Sequence, residues 1–498
     1  MKTCGFFATI LLTLPWLNPF APGPMTALVP WLVALAAVAG LLGLQALWQP
    51  QRHVNGSGWP WAAASGWLLA GALSSAIALI QYFGLSASLS PWINTTPLGE
   101  AFGNLRQRNQ FASLTNIALA ALLWWAAQPA SERLQYAWRS GVLGLALLLG
   151  IGNAVSSSRT GLFQAMLLLA LVWHWGGLRR PAIRQVVIGF VSAYVLALLV
   201  LPFMVGLSPW SSGAWARLHT GDAVCFSRIT LWRNVLTLIA EHPWFGWGWG
   251  ELDFAHYITL YDGPRFCDIL DNAHNLPLHL AVELGVPTAL ALCGLLTVWV
   301  LRARPWAETD ATRQLAWSVL AVVGLHSLLE YPLWYGPFQT AVGLCVLLLW
   351  RRPPAVFMKN RALAQVGYAG VATFLIAACA YAGWDYHRIS QIYLASEARD
   401  PAYQTDTLNK IRGTHLFQSQ VRFAELSVTP LTAENAAAQL RLAQDLLHFS
   451  PERRVVERVI DSALLLGRGD IAAFHLARFK EAFPDAYAEW MAGHPPAP

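Results

Sequence analysis

Charge is scarce in this chain. Of its 498 residues, 12% are Asp, Glu, Lys or Arg, where a water-soluble globular protein carries roughly 25%. With 56% hydrophobic residues and a mean hydropathy of +0.43, that deficit excludes an ordinary soluble fold for most of the sequence. Cysteine is also sparse. There is no CxxC pair and no Cys/His spacing of the zinc-binding kind. Cys4, Cys293, Cys345 and Cys379 lie in apolar runs, where a lone thiol behaves as a small hydrophobe. No Asp-x-Asp pair, phosphate-binding glycine loop or cluster of metal ligands occurs. Neither ATP nor a metal-bound sugar nucleotide is indicated, and no cofactor is expected. The energy for any group transfer must then reside in the substrate. The net charge of +6 reads as the loop charge of a membrane protein, not as a nucleic-acid surface.

Long apolar runs and tryptophan are abundant. The 25 Trp residues suit a chain with many membrane interfaces. Runs of near-spanning length occur at about 5–21, 25–48, 60–84, 110–128, 138–157, 161–177, 183–204, 276–301, 314–330, 336–350 and 363–384, against the roughly 20 residues a membrane helix needs. The first could be a signal peptide, but it has two internal prolines and no small-residue cleavage site, so it is counted as a helix. The expectation is an all-α, polytopic transmembrane bundle of about 11 helices over 1–384, followed by a soluble helical domain over 385–498. Basic residues set the orientation. Lys2, Arg52, Arg133, Arg139, Arg179, Arg180, Arg184, Arg302, Arg304, Arg313, Arg351, Arg352, Lys359 and Arg361 fall on one side, and Arg106, Arg108, Arg159, Arg217, Arg228, Arg233 and Arg265 on the other. The richer side is read as cytoplasmic and carries the N-terminus. The loop at about 205–275 and the C-terminal domain then face the periplasm of a bacterial inner membrane. Cys225 and Cys267 share that loop. In an oxidising compartment they could form a disulfide, although spacing alone does not establish it.

The outer side gathers the unusual polar residues. Before the fourth run stands Gly103-Asn-Leu-Arg-Gln-Arg-Asn-Gln-Phe-Ala112, in which Arg106 and Arg108 alternate with Gln107 and Asn109. Arginine grips phosphate with two parallel hydrogen bonds, so this cluster suits an anionic ligand bearing sugar hydroxyls. A solvated, headgroup-binding loop is the bland alternative. Ser156-Ser-Ser-Arg-Thr-Gly161 places Arg159 at the same edge, where a lone Arg is often only an anchor. The long loop carries Arg228-Ile-Thr-Leu-Trp-Arg-Asn, an amphipathic helix, and then His242-Pro-Trp-Phe-Gly-Trp-Gly-Trp-Gly250, whose rings can stack on sugars or lipid chains. His326 and Glu330 lie four apart on one helix face; an intramembrane His or Glu is a functional candidate, or a hydrogen bond locking two helices.

One stretch stands out: Asp271-Asn-Ala-His-Asn-Leu-Pro-Leu-His-Leu-Ala-Val-Glu-Leu-Gly285. Pro277 suits the first turn of a helix. His274 therefore sits just outside the helix, at its positive end, with Glu283 inside it.

These residues resemble the O-antigen ligase superfamily, and within it the bacterial protein O-oligosaccharyltransferases of the pilin-glycosylating type. The resemblance is carried by Ser158-Arg159-Thr-Gly161, by Arg228 with Trp232 and Pro243-Trp-Phe-Gly246-Trp-Gly248, and by His274-Asn275 with Glu283-Leu-Gly285. Gly103–Ala112 and His326–Pro332 resemble the protein-glycosylating branch. The resemblance implies a glycan carried on undecaprenyl diphosphate and its transfer in the periplasm to Ser or Thr of an acceptor protein such as a type IV pilin. The alternatives are an O-antigen ligase acting on lipid A core, an O-antigen polymerase, or, from another class, a polyprenyl-lipid or sugar transporter. On this reading Arg159 and Arg228, with Arg106 or Arg108, bind the diphosphate and stabilise its leaving charge. His274 is the general base, a role histidine fits near neutral pH. Asn275 holds the loop or contacts sugar, and Glu283 orients an Arg or is structural.

Overall fold

A computed structural model describes residues 2–47, 58–128, 135–208, 210, 224–350 and 361–493. Arg52, Arg133, Arg217, Arg351, Arg352 and Lys359, which bear on the expected orientation, lie outside the described residues. Among these, the regular structure is helical throughout, with no strand. The chain divides into two compact units, one of Met1–Gly221 with Val300–Tyr381, the other of Asp222–Trp299 with Ala382–Pro498. The loop segment 222–299 thus belongs with the tail.

The first unit contains α1 (Lys2–Leu17), α2 (Leu28–Leu47), α3 (Trp59–Tyr82), α4 (Arg108–Ala126), α5 (Gln135–Val155), α6 (Arg159–His174) and α7 (Pro181–Met204). The second contains α8 (Arg228–Glu241), α9 (Leu252–Ile258), α10 (Leu276–Leu284) and most of α11 (Val286–Ala303). α12 (Ala311–Ser327), α13 (Gly336–Leu349) and most of α14 (Arg361–Ser390) return to the first. The tail adds α15 (Thr407–Ile411), α16 (Gln418–Val428), α17 (Ala436–Leu447), α18 (Arg453–Leu465), α19 (Gly469–Ala482) and α20 (Pro484–Gly493).

Among the described residues, each apolar run of the sequence contains a helix. Among the described residues, six helices are long and apolar enough to cross a membrane: those containing Leu28–Leu47, Trp59–Tyr82, Trp138–Val155, Pro181–Met204, Val286–Ala307 and Ala362–Tyr393. Cys4–Leu17 and Gly336–Leu349 are apolar but shorter. The expected single run at 276–301 is corrected. It is two helices, α10 and α11, broken at Gly285, whose φ of +87° is a left-handed value that glycine adopts without a Cβ penalty.

In the first unit α4 is the central helix, buried along almost its whole length. Small residues let neighbours close on it. A Cβ on Gly71 of α3 would overlap Ala118, and one on Gly161 of α6 would overlap Ala112. The polar residues Ser113, Thr115 and Asn116 of α4 are fully buried and must find partners there.

In the second unit, α8 buries Leu231, Val235 and Leu238 against Leu252, Ala255, Leu270 and Val282. The tail helices close over Tyr257 of α9 with Phe423, Leu446, Val459 and Phe479. The Tyr257 hydroxyl meets His475 Nδ1 at 2.8 Å, Arg478 donates to the Ile258 carbonyl at 2.7 Å, and His448 pairs with Glu251 at 2.7 Å while stacking on Phe254.

Candidate functional site

The polar residues form one cluster in each unit. In the first unit, Ser158 caps α6 by accepting from the Gly161 amide at 2.9 Å, so Arg159 opens that helix as its first residue. The Ser158 hydroxyl donates to Asn109 Oδ1 at 2.6 Å, and Asn109 Nδ2 donates to Glu330 Oε1 at 3.1 Å. Deeper along α4, Ser113 meets His326 Nδ1 at 2.8 Å and also Gln164 of α6. Asn116 donates to the Gly161 carbonyl at 2.9 Å, and Asn153 to Thr115 at 2.8 Å. These bonds tie α4, α5, α6 and α12 around the start of α6, and so fix the backbone that carries Arg159.

His326 and Glu330 correct an expectation. α12 ends at Ser327, so Glu330 lies in the turn beyond it, and the two side chains do not share one helix face. Each reaches α4 separately. Gln107 immediately precedes α4, and its buried Oε1 has no hydrogen-bond partner among the described residues. Arg108 pairs with Glu100 at 2.5 Å. Arg106, at φ +60°, donates to the Pro19 carbonyl and to Asn94 Oδ1.

In the second unit, Arg228 is the first residue of α8, behind a Ser227 cap. Cys225 and Cys267 are disulfide-bonded, with their Cα atoms 5.2 Å apart. The loop bearing His274 is tethered on both sides. Trp232 Nε1 donates to the Ala273 carbonyl at 3.1 Å. The His274 amide donates to Asn272 Oδ1 at 2.8 Å. Asn275 caps α10 by accepting from the Leu278 amide at 3.1 Å. His274 itself sits half-buried at φ +50°, a left-handed backbone rare for a residue with a Cβ. Such outliers persist only where the surroundings over-determine them.

The Trp/Gly run is a clasp on the far end of α10. The Trp247 amide donates to the Val282 carbonyl at 2.9 Å, the Gly248 amide to the Glu283 carbonyl at 3.0 Å, and the Val286 amide to the Pro243 carbonyl at 2.8 Å. Trp247 Nε1 reaches the Leu238 carbonyl at 2.9 Å. Gly246 (φ +71°) lies against the Glu283–Leu284 peptide and Gly285 against the Trp244–Phe245 peptide, so a Cβ on either would overlap backbone. These glycines serve close backbone approach, not phosphate binding.

Glu283 does not orient an arginine by any described contact. It is buried one turn from His279, with Oε2 3.5 Å from His279 Nε2. Burial pushes the Glu283 carboxyl up to about 7, against a hydrogen bond from the Gly250 backbone, and Glu251 adds to the rise. Burial pushes His279 down to about 4, with His274 adding to the fall. The pair is a neutral imidazole beside a carboxyl that titrates near neutrality. The exposed Trp249 ring stands edge-on to His279, 6.5 Å between centroids.

Sequence reasoning missed His279 and Asn272. The first was signalled by its four-residue spacing to Glu283. The second was signalled by Asn two residues before His274, the spacing of an Asx turn. Asn272 is buried, and its Nδ2 has no hydrogen-bond partner among the described residues. Among those residues no group of three or more potential metal ligands occurs.

Comparison with known proteins follows the same motifs. A family model described as O-Antigen ligase matches residues 144–293, from the Ser158 cap through the clasp. One described as Protein glycosylation ligase matches 101–126, and one described as Virulence factor membrane-bound polymerase, C-terminal, matches 314–497. A General O-oligosaccharyltransferase of Acinetobacter baylyi is 24% identical over 332 residues, 64% of this chain and 56% of the relative. A ComP-specific O-oligosaccharyltransferase of the same organism is 24% identical over 278 residues, 55% and 47% respectively. The chain spans about half the length of these curated relatives. No solved structure matches. By these matches the chain is similar to O-antigen ligases and to bacterial O-oligosaccharyltransferases, and its apolar helices mark it as an integral membrane protein.

Proposed function

We propose that this chain transfers a preassembled oligosaccharide from undecaprenyl diphosphate to a Ser or Thr hydroxyl of a periplasmic protein, a type IV pilin being the acceptor of choice. The observation that carries this reading is the tethering of His274. A half-exposed imidazole is held at φ +50° by Trp232, Asn272 and Asn275, where it can work as a base.

His274 takes the proton from the acceptor hydroxyl. The hydroxyl oxygen attacks the anomeric carbon of the donor sugar. The bond from that carbon to the diphosphate oxygen breaks, and its electron pair leaves with undecaprenyl diphosphate. Arg159 and Arg228 are the diphosphate ligands and stabilise the charge that grows on it. The Asn272 Nδ2 is available to donate to sugar or phosphate oxygens, and the Gln107 Oε1 to accept from a sugar hydroxyl. Asn109, His326 and Glu330 support the start of α6, Asn275 holds α10, and Trp249 offers a ring for sugar stacking. Arg108 and Arg106 would first have to leave Glu100 and the Pro19 carbonyl. The reaction asks nothing of a metal or cofactor. The site faces the periplasm of the inner membrane, with the N-terminus cytoplasmic; the Cys225–Cys267 bond suits an oxidising compartment. The tail is a soluble helical domain on that side.

The test is co-expression with a lipid-linked glycan pathway and candidate pilins, followed by intact-mass measurement. A pilin mass increase of one glycan that disappears in His274→Ala supports the reading; an increase that survives sinks His274 as base. The ligase and polymerase descriptions of two family models favour a second reading, transfer to lipid A core or to another glycan. It predicts modified lipopolysaccharide or lengthened lipid-linked glycan with unmodified pilin.

A further inference from the structure

Trp244 and Phe245 are 72% and 88% exposed, although they stand in a loop whose backbone is tightly held. Their exposure is not looseness. The Val286 amide donates to the Pro243 carbonyl, and Gly285 lies flush against the Trp244–Phe245 peptide. The backbone that carries two large exposed rings is therefore fixed beside the first residue of α11. That helix is long and apolar enough to cross a membrane, and little of its surface is covered by protein; Leu290, Leu295 and Leu296 are all widely exposed.

Exposed aromatic pairs on a rigid support mark an interaction surface. Here the neighbour decides which. A ring anchored at the first residue of a lipid-facing helix stands at the height where a bilayer passes from hydrocarbon to headgroup, the level at which Trp is enriched. Trp has an apolar body and one N–H to place in water. We propose that Trp244 and Phe245 are an interfacial membrane anchor that fixes the depth of the clasp, and through its bonds to Val282 and Glu283 the depth of α10, against the outer bilayer surface.

The test measures depth, not glycan transfer, so its failure leaves the transfer reading standing. The full chain carrying Cys4→Ser, Cys293→Ser, Cys345→Ser and Cys379→Ser is given Phe245→Cys, labelled with a nitroxide and reconstituted in vesicles of phosphatidylethanolamine and phosphatidylglycerol. Trp244→Cys is the parallel variant should Phe245→Cys not fold. Glu434→Cys on the tail is the aqueous reference, and Leu290→Cys the hydrocarbon reference. The label at 245 or 244 is expected to show a ratio of oxygen to nickel-chelate relaxation several-fold above that at 434 and below that at 290. A ratio equal to that at 434 places the rings in water and overturns the proposal. Relaxation by neither reagent means that protein, an acceptor or a second copy, covers the rings, and overturns it equally.

Discussion

The His279 imidazole lies 3.5 Å from the Glu283 carboxyl, one turn along α10, with both side chains buried. An isolated charge at either position is costly, and burial moves each group toward its neutral form. Glu283 rises from 4.5 to about 7 and His279 falls from 6.5 to about 4.

The sign of the pH effect follows. A carboxyl raised by folding contributes stability below its unfolded value of 4.5, and that contribution is lost as pH rises through about 7. Glu283→Gln should therefore stabilise the protein above neutrality, by at most about 3.5 kcal/mol at 1.4 kcal/mol per pH unit, and leave it unchanged near pH 4.5. Thermal unfolding in detergent across this range is the check. An equal shift at both ends would mean the substitution acts by packing. Asp253, which burial also raises to about 7, titrates in parent and variant alike and cancels.

His274→Asn separates chemistry from fold. Asparagine tolerates the left-handed backbone better than most residues, and Asn275 keeps its cap on α10. Transfer should fall roughly a hundredfold or more, the usual contribution of a general base, with an unchanged melting temperature. A variant retaining half of the parental transfer would remove His274 from the mechanism.

The clasp glycines should be intolerant of any Cβ. Gly246→Ala and Gly285→Ala each combine a left-handed φ, costing about 1–2 kcal/mol, with overlap on facing backbone, costing about 1–3 kcal/mol. Because both press on the same junction, the double variant should cost less than the sum. Denaturation midpoints of the three variants decide it; strict additivity would mean the two contacts are independent.

Asn109→Ala breaks the chain from Ser158 to Glu330 and leaves a buried carboxyl short of a donor, a loss of about 1–3 kcal/mol. If that chain positions Arg159, the donor KM should rise more than kcat falls. A stability loss with unchanged kinetics would make the chain purely structural.

Much of this was legible in the sequence, and the misses have physical causes. Apolar runs specify helices in a membrane because unpaired backbone is intolerable there, and each run carries one among the described residues, six of them long and apolar enough to cross a membrane. The break at Gly285 was hidden because hydropathy is blind to backbone conformation; the Gly285-Val-Pro287 sequence carried the signal. The sequence leaves the direction of the Glu283 side chain open, and its partner is His279, one turn away on the same helix. The Trp/Gly run shows its rings in sequence, yet its glycines matter through a peptide some forty residues on, a contact no local pattern encodes. A longer separation hid the pairing of segment 222–299 with the tail, which rests on contacts such as His448 with Glu251, 197 residues apart.

The clasp bears on how relatives can be recombined. Pro243–Gly250 and Val282–Val286 are far apart on the page and are one object in the fold, each shaped to the other's main chain. A chimaera that takes either stretch from one parent and its counterpart from another asks two unmatched backbones to interlock. Grafts that exchange acceptor preference should carry both stretches together, with their joints placed outside residues 243–286.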